Sequence, residues 1–223
     1  MGIWDVDQEP LQKVKSKCTD ELYRLENHPD FTVTSKNDDG ISFQFNGGSM
    51  EIGLPQGCEY SSKTLVEGML VLRLLYVSKD NRGKGIGTEI LNKVLEAYKD
   101  SPAAMVIYPI PVELQGWTHI PQMVQDIALQ HRLILFYERV GFKCLSYSKL
   151  YNVRYLVDLF ERYQFKKLTP SAMGITFKET PKEVADEIKA CTISSEDMFK
   201  VVTEKQTVPE LTAVHLMDGR YVI

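Results

Sequence analysis

The run Arg82-Gly83-Lys84-Gly85-Ile86-Gly87-Thr88 has the residue types and spacing of an anion-binding loop. Glycines allow backbone N–H groups to come close to a ligand. The N-terminus of the helix predicted to follow adds unpaired donors and the positive end of the helix dipole. The ligand expected in such a loop is a phosphate or pyrophosphate, assisted by the positive charge of Arg82 or Lys84.

Three phosphate-binding patterns compete for this loop. A Walker A loop requires Ser or Thr after its Gly-Lys pair, and Gly85 stands there instead. A dinucleotide fingerprint, Gly-x-Gly-x-x-Gly, would put Thr88 where close helix packing requires Gly or Ala. The third pattern, Arg/Gln-x-x-Gly-x-Gly/Ala, is matched at every position by Arg82, Gly85 and Gly87.

The elements on either side of the loop predict a βαβ unit. Within the segment from Leu65 to Val77, the nearly continuous apolar run from Leu70 to Val77 is typical of a central strand buried on both faces. An apolar stripe from Ile86 to Tyr98 predicts a helix, and Ala103 to Ile110 predicts a second buried strand. Such a unit is expected to cross over in the right-handed sense.

Periodicity elsewhere predicts further helices and strands. An apolar stripe predicts a helix from Pro10 to Asn27, and alternation between Phe31 and Leu54 predicts three short antiparallel strands. The helical period returns from about Gln122 to Val140, with Gly141 as the residue after the helix end. The other predictions are a helix from Asn152 to Tyr163, a capping box at Thr180-Pro181-Lys182-Glu183, a helix capped by Ser194 or Ser195, and a hairpin turn at Asp218-Gly219.

The sequence resembles the GCN5-related N-acetyltransferase (GNAT) superfamily over roughly Leu65 to Lys143. The first motif of that family is the Arg82 to Gly87 loop. The second lies about fifty residues later, on the helix after the next strand, and reads Phe136-Tyr137-Glu138-Arg139-Val140-Gly141-Phe142 here. The resemblance implies an α/β fold with a mixed central sheet flanked by helices, and transfer of an acetyl group from acetyl-coenzyme A to a primary amine.

The resemblance also implies roles for single residues. The loop from Arg82 to Thr88 would bind the pyrophosphate of acetyl-coenzyme A, the co-substrate. Leu75 and Val77 would offer backbone groups to the pantetheine, because in the family this strand splays from its neighbour. Gln130 stands where the family usually has an Asn that contacts the same arm. Tyr137 would protonate the leaving thiolate, and no metal is required.

The acceptor site departs from the family pattern. The segment from Pro109 to Pro121 is longer than usual, and its Glu113, Trp117 and His119 are candidates for binding an amine acceptor. A packed surface loop stiffened by prolines is an equal alternative. The general base is not identified by the sequence, and its candidates are Glu67, Glu113, His119 and His131.

Composition excludes several other classes. The chain has 223 residues, 43% hydrophobic and 25% charged, which is enough apolar side chain for a core without staples. A net charge of −4 argues against tight binding to a nucleic-acid backbone. Cys18, Cys58, Cys144 and Cys191 form no CxxC pair, so neither a zinc framework nor a redox motif is suggested.

We therefore predict a GNAT-like acetyltransferase domain over residues 1–168, with residues 169–223 as an extension packed on it or completing its sheet. The N-terminus lacks the pattern of a signal peptide and no segment is apolar enough to span a membrane, so the expected location is the cytoplasm. The expected partner is a small-molecule or peptide amine, and a homodimer is compatible with the sequence. The alternatives are a non-catalytic acyl-coenzyme A binder or protein-interaction module on the same scaffold, and a dinucleotide-dependent oxidoreductase.

Overall fold

The structure, a computed structural model, describes residues 18–55, 60–109, 131–150, 172–198, 215–217 and 220–222. Its elements in chain order are α1 (Thr19–Leu22), β1 (Thr32–Asn37), β2 (Gly40–Phe45), β3 (Gly48–Gly53), α2 (Lys63–Gly68), β4 (Met69–Val77), α3 (Ile86–Tyr98), β5 (Ala104–Ile107), α4 (131–139), β6 (Lys143–Leu145), α5 (Tyr147–Leu150), β7 (Ala172–Ile175), α6 (Lys182–Cys191), α7 (195–198), β8 (His215–Met217) and β9 (Arg220–Val222).

Seven strands form one mixed sheet in the order β1-β2-β3-β4-β5-β7-β6. β4 and β5 are parallel and the other neighbouring pairs are antiparallel. This confirms the predicted α/β fold with a mixed central sheet and flanking helices. β7 lies between β5 and β6, although it comes from the C-terminal part of the chain, where the sequence had revealed no closing strand.

The two faces of the sheet carry separate hydrophobic cores. Leu70 and Leu72 of β4 belong to the core that includes α3, whereas Met69 and Val71 belong to the core that includes α2 and α6. This division follows from the alternation of side chains along a strand. The predicted stripe of α3 faces the first core with Ile90, Leu91, Val94 and Tyr98, all of them buried.

The predicted antiparallel strands and the βαβ unit are confirmed, with changes at their ends. β1, β2 and β3 pair in sequence, and β4 and β5 are parallel with α3 between them. The predicted strand run from Leu70 to Val77 lies in β4. The residues before it form α2, whose first turn is capped by Ser62 Oγ accepting from Leu65 N at 3.2 Å. β4 is not buried on both faces throughout, since its second half is only half-buried.

Two helices differ in detail from the prediction. In the described part of the predicted N-terminal helix, α1 ends at Leu22 and turns follow to Asn27. The predicted capping box does not form at α6. The Thr180 hydroxyl instead accepts from Phe177 N at 2.8 Å and donates to Ala103 O at 3.4 Å, so a contact with the sheet replaces the cap.

One prediction near the C-terminus is confirmed, because Ser194 Oγ caps α7 by accepting from Asp197 N at 3.0 Å. β8 and β9 pair as antiparallel strands, and the predicted turn at Asp218-Gly219 lies outside the described residues. The helix predicted from Asn152 to Tyr163 lies outside the described residues. No helix in the part of the chain that the structure describes is long and apolar enough to cross a membrane.

Candidate active site

A cavity of about 500 Å³ lies where β4, the loop before α3, and α4 meet. It brings together the phosphate-type loop, the second half of β4 and one face of α4, which are far apart in the sequence. Its lining residues are Leu72 to Val77, Asn81 to Gly83, Gly85 to Thr88, Ile107, Tyr108, Arg132, Leu133, Phe136 and Tyr137.

The cavity exists because β4 and β5 separate. Among the described residues their pairing ends at Leu72 and Ile107, while β4 continues to Val77. This agrees with the splay that the family resemblance implied. Main-chain groups of β4 on that side are therefore available to a ligand, since its other side pairs with β3.

A β-bulge in β4 lies at the point of separation. Ile52 of β3 pairs with Leu72 and Glu51 pairs with Leu74, so Arg73 is the additional residue. Its guanidinium donates to Glu51 Oε1 at 3.2 Å and to Leu54 O at 3.0 Å. A Cβ at Gly53 would overlap this guanidinium, so the glycine makes room for the arginine. Because bulges bend a strand, this arrangement helps to direct β4 away from β5.

The loop before α3 has the open backbone that an anion requires. Gly83 and Gly85 have φ of 75° and 82°, and a Cβ at either position would have no atom within 4 Å. Gly85 is the N-cap residue of α3 and supplies no side-chain cap, which leaves the N–H groups of the first turn directed at the cavity. These residues fit a bound phosphate group.

Arg82 is held beside the loop by the end of β4. Its Nε donates to Val77 O at 3.0 Å, and its guanidinium lies 5.9 Å from the centre of the Tyr76 ring. The Val77 carbonyl therefore already accepts one hydrogen bond. Leu75 and Val77, which pair with β3 at Met50 and Gly48, both line the cavity.

Tyr137 lies on α4 and lines the cavity. Its side chain is 5% exposed and its ring makes edge contacts with Phe136 at 4.9 Å and Phe142 at 5.8 Å. Burial raises the pKa of the Tyr137 phenol above its ordinary value of 10. The predicted end of the helix is confirmed by Gly141, whose φ is 106°.

The remaining predicted site residues divide into three groups. Ile86, Gly87 and Thr88 line the cavity, whereas Lys84 is exposed in the same loop. Glu67 forms an ion pair with Lys63 at 3.3 Å on α2, and neither it nor His131 lines the cavity. The positions that lie outside the described residues are Glu113, Trp117, His119 and Gln130.

The cavity also includes residues that sequence reasoning missed. Arg132 and Leu133 precede Phe136 and Tyr137 by four residues, so all four share one side of α4. This four-residue spacing could have been used to predict from the sequence that Arg132 and Leu133 lie beside Phe136 and Tyr137. Tyr108 directly follows β5, and the first residue beyond the carboxyl end of a strand is a common place for ligand contacts. Arg73 had no local signal, because its position depends on the pairing of β3 with β4.

The described cysteines lie away from this chemistry. Cys18, Cys144 and Cys191 are buried free thiols, and none of them lines the cavity. Burial raises the pKa of the Cys144 thiol to about 11, mainly by desolvation. Such thiols remain protonated at neutral pH and are poor nucleophiles.

The fold and cavity define an α/β protein with a glycine-rich loop-to-helix junction beside a parallel strand pair that separates. Residues 48–144 match the family described as the acetyltransferase (GNAT) domain. This match supports membership of the segment from 48 to 144 in the GNAT superfamily, a family of acyltransferases. No curated protein and no solved structure matches the chain significantly.

Proposed function

We propose that this protein is an N-acetyltransferase that transfers an acetyl group from acetyl-coenzyme A to a primary amine. The observation that supports this most is that one cavity unites the glycine loop, the free edge of β4 and Tyr137. In this proposal the loop holds the anionic end of the co-substrate, β4 aligns its extended arm, and Tyr137 stands at the reacting end.

The binding role of the loop depends on backbone rather than on side chains. The N–H groups from Gly83 to Thr88 bind the pyrophosphate, and the helix dipole of α3 favours its negative charge. Arg82 adds a positive charge whose position is set by its bond to Val77 O. Lys84, exposed in the same loop, adds a second. Backbone groups of Leu75 and Val77, together with Gln130, contact the pantetheine arm.

The chemistry is a direct attack. The amine nitrogen forms a bond to the thioester carbonyl carbon, and the carbon–sulfur bond breaks as the thiolate leaves. Backbone N–H groups near Val77 polarise the carbonyl. Tyr137 donates its proton to the sulfur and regains one from solvent, while the nitrogen loses a proton to a base, directly or through water.

The acceptor side of the site includes the insertion between β5 and α4. Glu113, Trp117 and His119 stay predicted acceptor contacts, and Glu113 and His119 are the remaining candidates for the base. The acceptor is a small molecule or peptide that carries a primary amine. The division into a domain at residues 1–168 and an extension at 169–223 also stays a prediction.

A second function is favoured by one observation. Neither of the base candidates within the described residues, Glu67 and His131, lines the cavity. A GNAT scaffold without a base would bind acyl-coenzyme A, or a partner protein, without turnover. The acyl-coenzyme A binder and the proposed enzyme are both expected to bind acetyl-coenzyme A, and they differ in catalysis.

Two measurements on the unaltered protein test the proposal. Calorimetry with acetyl-coenzyme A is expected to show saturable binding. A panel of primary amines, namely spermidine, L-lysine, tyramine and a peptide with a free N-terminus, is expected to include an acceptor that accelerates thiol release above the rate with water. Binding without acceleration by any amine would favour the non-catalytic module, and absence of binding would refute both the enzyme and the acyl-coenzyme A binder.

A further inference from the structure

The cavity is bounded by residues from both faces of the sheet. Ile107 of β5 belongs to the hydrophobic core that also contains Tyr137, whereas Tyr108 packs against the other core. Both tyrosines line the cavity. Since successive residues of a strand point to opposite faces, the gap between β4 and β5 is reached by Tyr137 from one face and by Tyr108 from the other.

Tyr108 is held in position by a second tyrosine. The hydroxyl groups of Tyr108 and Tyr60 lie 2.6 Å apart, a hydrogen bond in which either oxygen can be the donor. Tyr60 is 5% exposed and is packed among buried side chains that include Leu65 and Met69. A ring fixed in a packed core has one orientation, so this bond fixes the orientation of Tyr108, a residue that lines the cavity.

We propose that Tyr108 binds the acceptor amine and that Tyr60 is its positioning residue. The inference rests on the proposed acetyl transfer. With Tyr108 donating to Tyr60, the Tyr108 oxygen accepts a hydrogen bond from an N–H group of the amine. The attacking nitrogen is then held on the Tyr108 side of the gap, and the leaving sulfur lies on the Tyr137 side.

The chemistry of a phenol suits this role. A phenolic oxygen carries two lone pairs, so it can accept from the amine while its own proton is donated elsewhere. A neutral primary amine has two N–H donors and one lone pair. A hydrogen bond from one N–H to Tyr108 leaves the lone pair free to face the thioester carbonyl. The acceptor class is thus a primary amine that loses one N–H bond in the reaction.

The first test is Tyr108→Phe, assayed with whichever amine of the panel releases thiol fastest. Removal of one hydrogen bond to the acceptor is expected to raise the acceptor KM about tenfold, since bonds to polar or charged ligands are of that size. The KM for acetyl-coenzyme A is expected to change less than about twofold. A loss of packing alone would move both constants together.

The second test is a double-mutant cycle with Tyr60→Phe. Alone, this variant removes the hydrogen bond between Tyr60 and the Tyr108 hydroxyl, and it is expected to raise the acceptor KM several-fold. Combined with Tyr108→Phe it is expected to add nothing, because both changes act through one hydroxyl. Additive effects would overturn the positioning role of Tyr60.

Tyr98→Phe is the matched control. It also removes a buried phenol hydroxyl, which donates to Glu21 O at 2.9 Å, but it lies outside the cavity. Its acceptor KM is expected to equal that of the unaltered protein. If Tyr108→Phe fails to fold, Tyr60→Phe decides the question, and an unchanged acceptor KM overturns the inference.

The outcome also separates this inference from the proposed function. If the unaltered protein releases no thiol with any amine of the panel, the proposed function fails and the inference with it. If thiol is released but Tyr108→Phe keeps the acceptor KM within twofold, acetyl transfer stands and the inference alone is overturned.

Discussion

Burial of Tyr137 has two opposing effects on a proton donor. The raised pKa keeps the phenol protonated throughout the neutral and mildly alkaline pH range. The same shift makes the phenol a weaker acid toward a thiolate, whose ordinary pKa is about 8.5. Proton transfer from Tyr137 is therefore expected late in the departure of the sulfur, when negative charge on it is fully developed.

Tyr137→Phe tests this role. The substitution keeps the ring contacts with Phe136 and Phe142 and removes only the hydroxyl. We expect kcat to fall on the order of a hundredfold, with acetyl-coenzyme A affinity by calorimetry almost unchanged. Tyr98→Phe, a buried phenol of α3, serves as the control. A kcat within twofold of the unaltered protein would mean that water protonates the thiolate.

The pH dependence gives an independent test of Tyr137. A phenol with a raised pKa loses its proton only above its ordinary pKa of about 10, so its acid function persists to higher pH. We expect kcat to show no decline attributable to Tyr137 between about pH 7 and 9.5. A declining limb in that range that disappears in Tyr137→Phe would contradict the buried environment described here.

The geometry of the loop before α3 explains why the family pattern accepts Gly or Ala at the position of Gly87 but only Gly at the position of Gly85. A Cβ at Gly87 would meet Phe136 and Val77 at 3.6 Å, an ordinary contact. Gly83 and Gly85 instead combine positive φ with open space above the backbone. A side chain there would occupy the volume that the anion needs.

Gly85→Glu tests the loop. The carboxylate would fill the open space and repel a phosphate, so we expect acetyl-coenzyme A binding to be lost in calorimetry. Gly141→Glu is a matched control, because Gly141 also has positive φ, is exposed and lies outside the cavity. Both variants place a side chain on a residue with positive φ, which lowers the free energy of unfolding by about 1–2 kcal/mol. Equal affinity in both would refute the pyrophosphate assignment.

The sheet that contains the matched family segment also includes residues from outside that segment. The matched segment ends at residue 144, yet β7 lies in the sheet between β5 and β6. α6 packs on α2 at Gly68, where a Cβ would overlap Val184 Cγ2. Residues after 171 thus complete both the sheet and one of its two cores.

Gly68→Ala tests this packing. Overpacking against Val184 is expected to cost about 1–3 kcal/mol, which lowers the melting temperature by about 2–4 °C per kcal/mol in a chain of this size. Val184→Ala makes room for the new methyl group, so the double variant is expected to be more stable than the sum of the single changes predicts. Strict additivity in thermal unfolding would show that α2 and α6 do not touch at this point.

Features with local signals could be predicted from the sequence. The spacing of Arg82, Gly85 and Gly87 predicted the loop, and hydrophobic periods predicted α3 and the antiparallel strands. These features depend on residues a few positions apart, which interact however the rest of the chain folds. The position of Tyr137 on its helix was predictable in the same way.

Features that depend on contacts between residues far apart in the sequence could be found only in the folded structure. The bulge at Arg73 arises from the register of β3 against β4, and the meeting of Tyr60 with Tyr108 requires chain segments 48 residues apart. The same holds for the insertion of β7 and for Thr180, whose hydroxyl contacts Ala103 O rather than capping α6. When a side chain can bond either to a neighbour in the sequence or to a distant residue, the packing of the whole fold decides which bond forms. A local sequence pattern therefore does not predict the result.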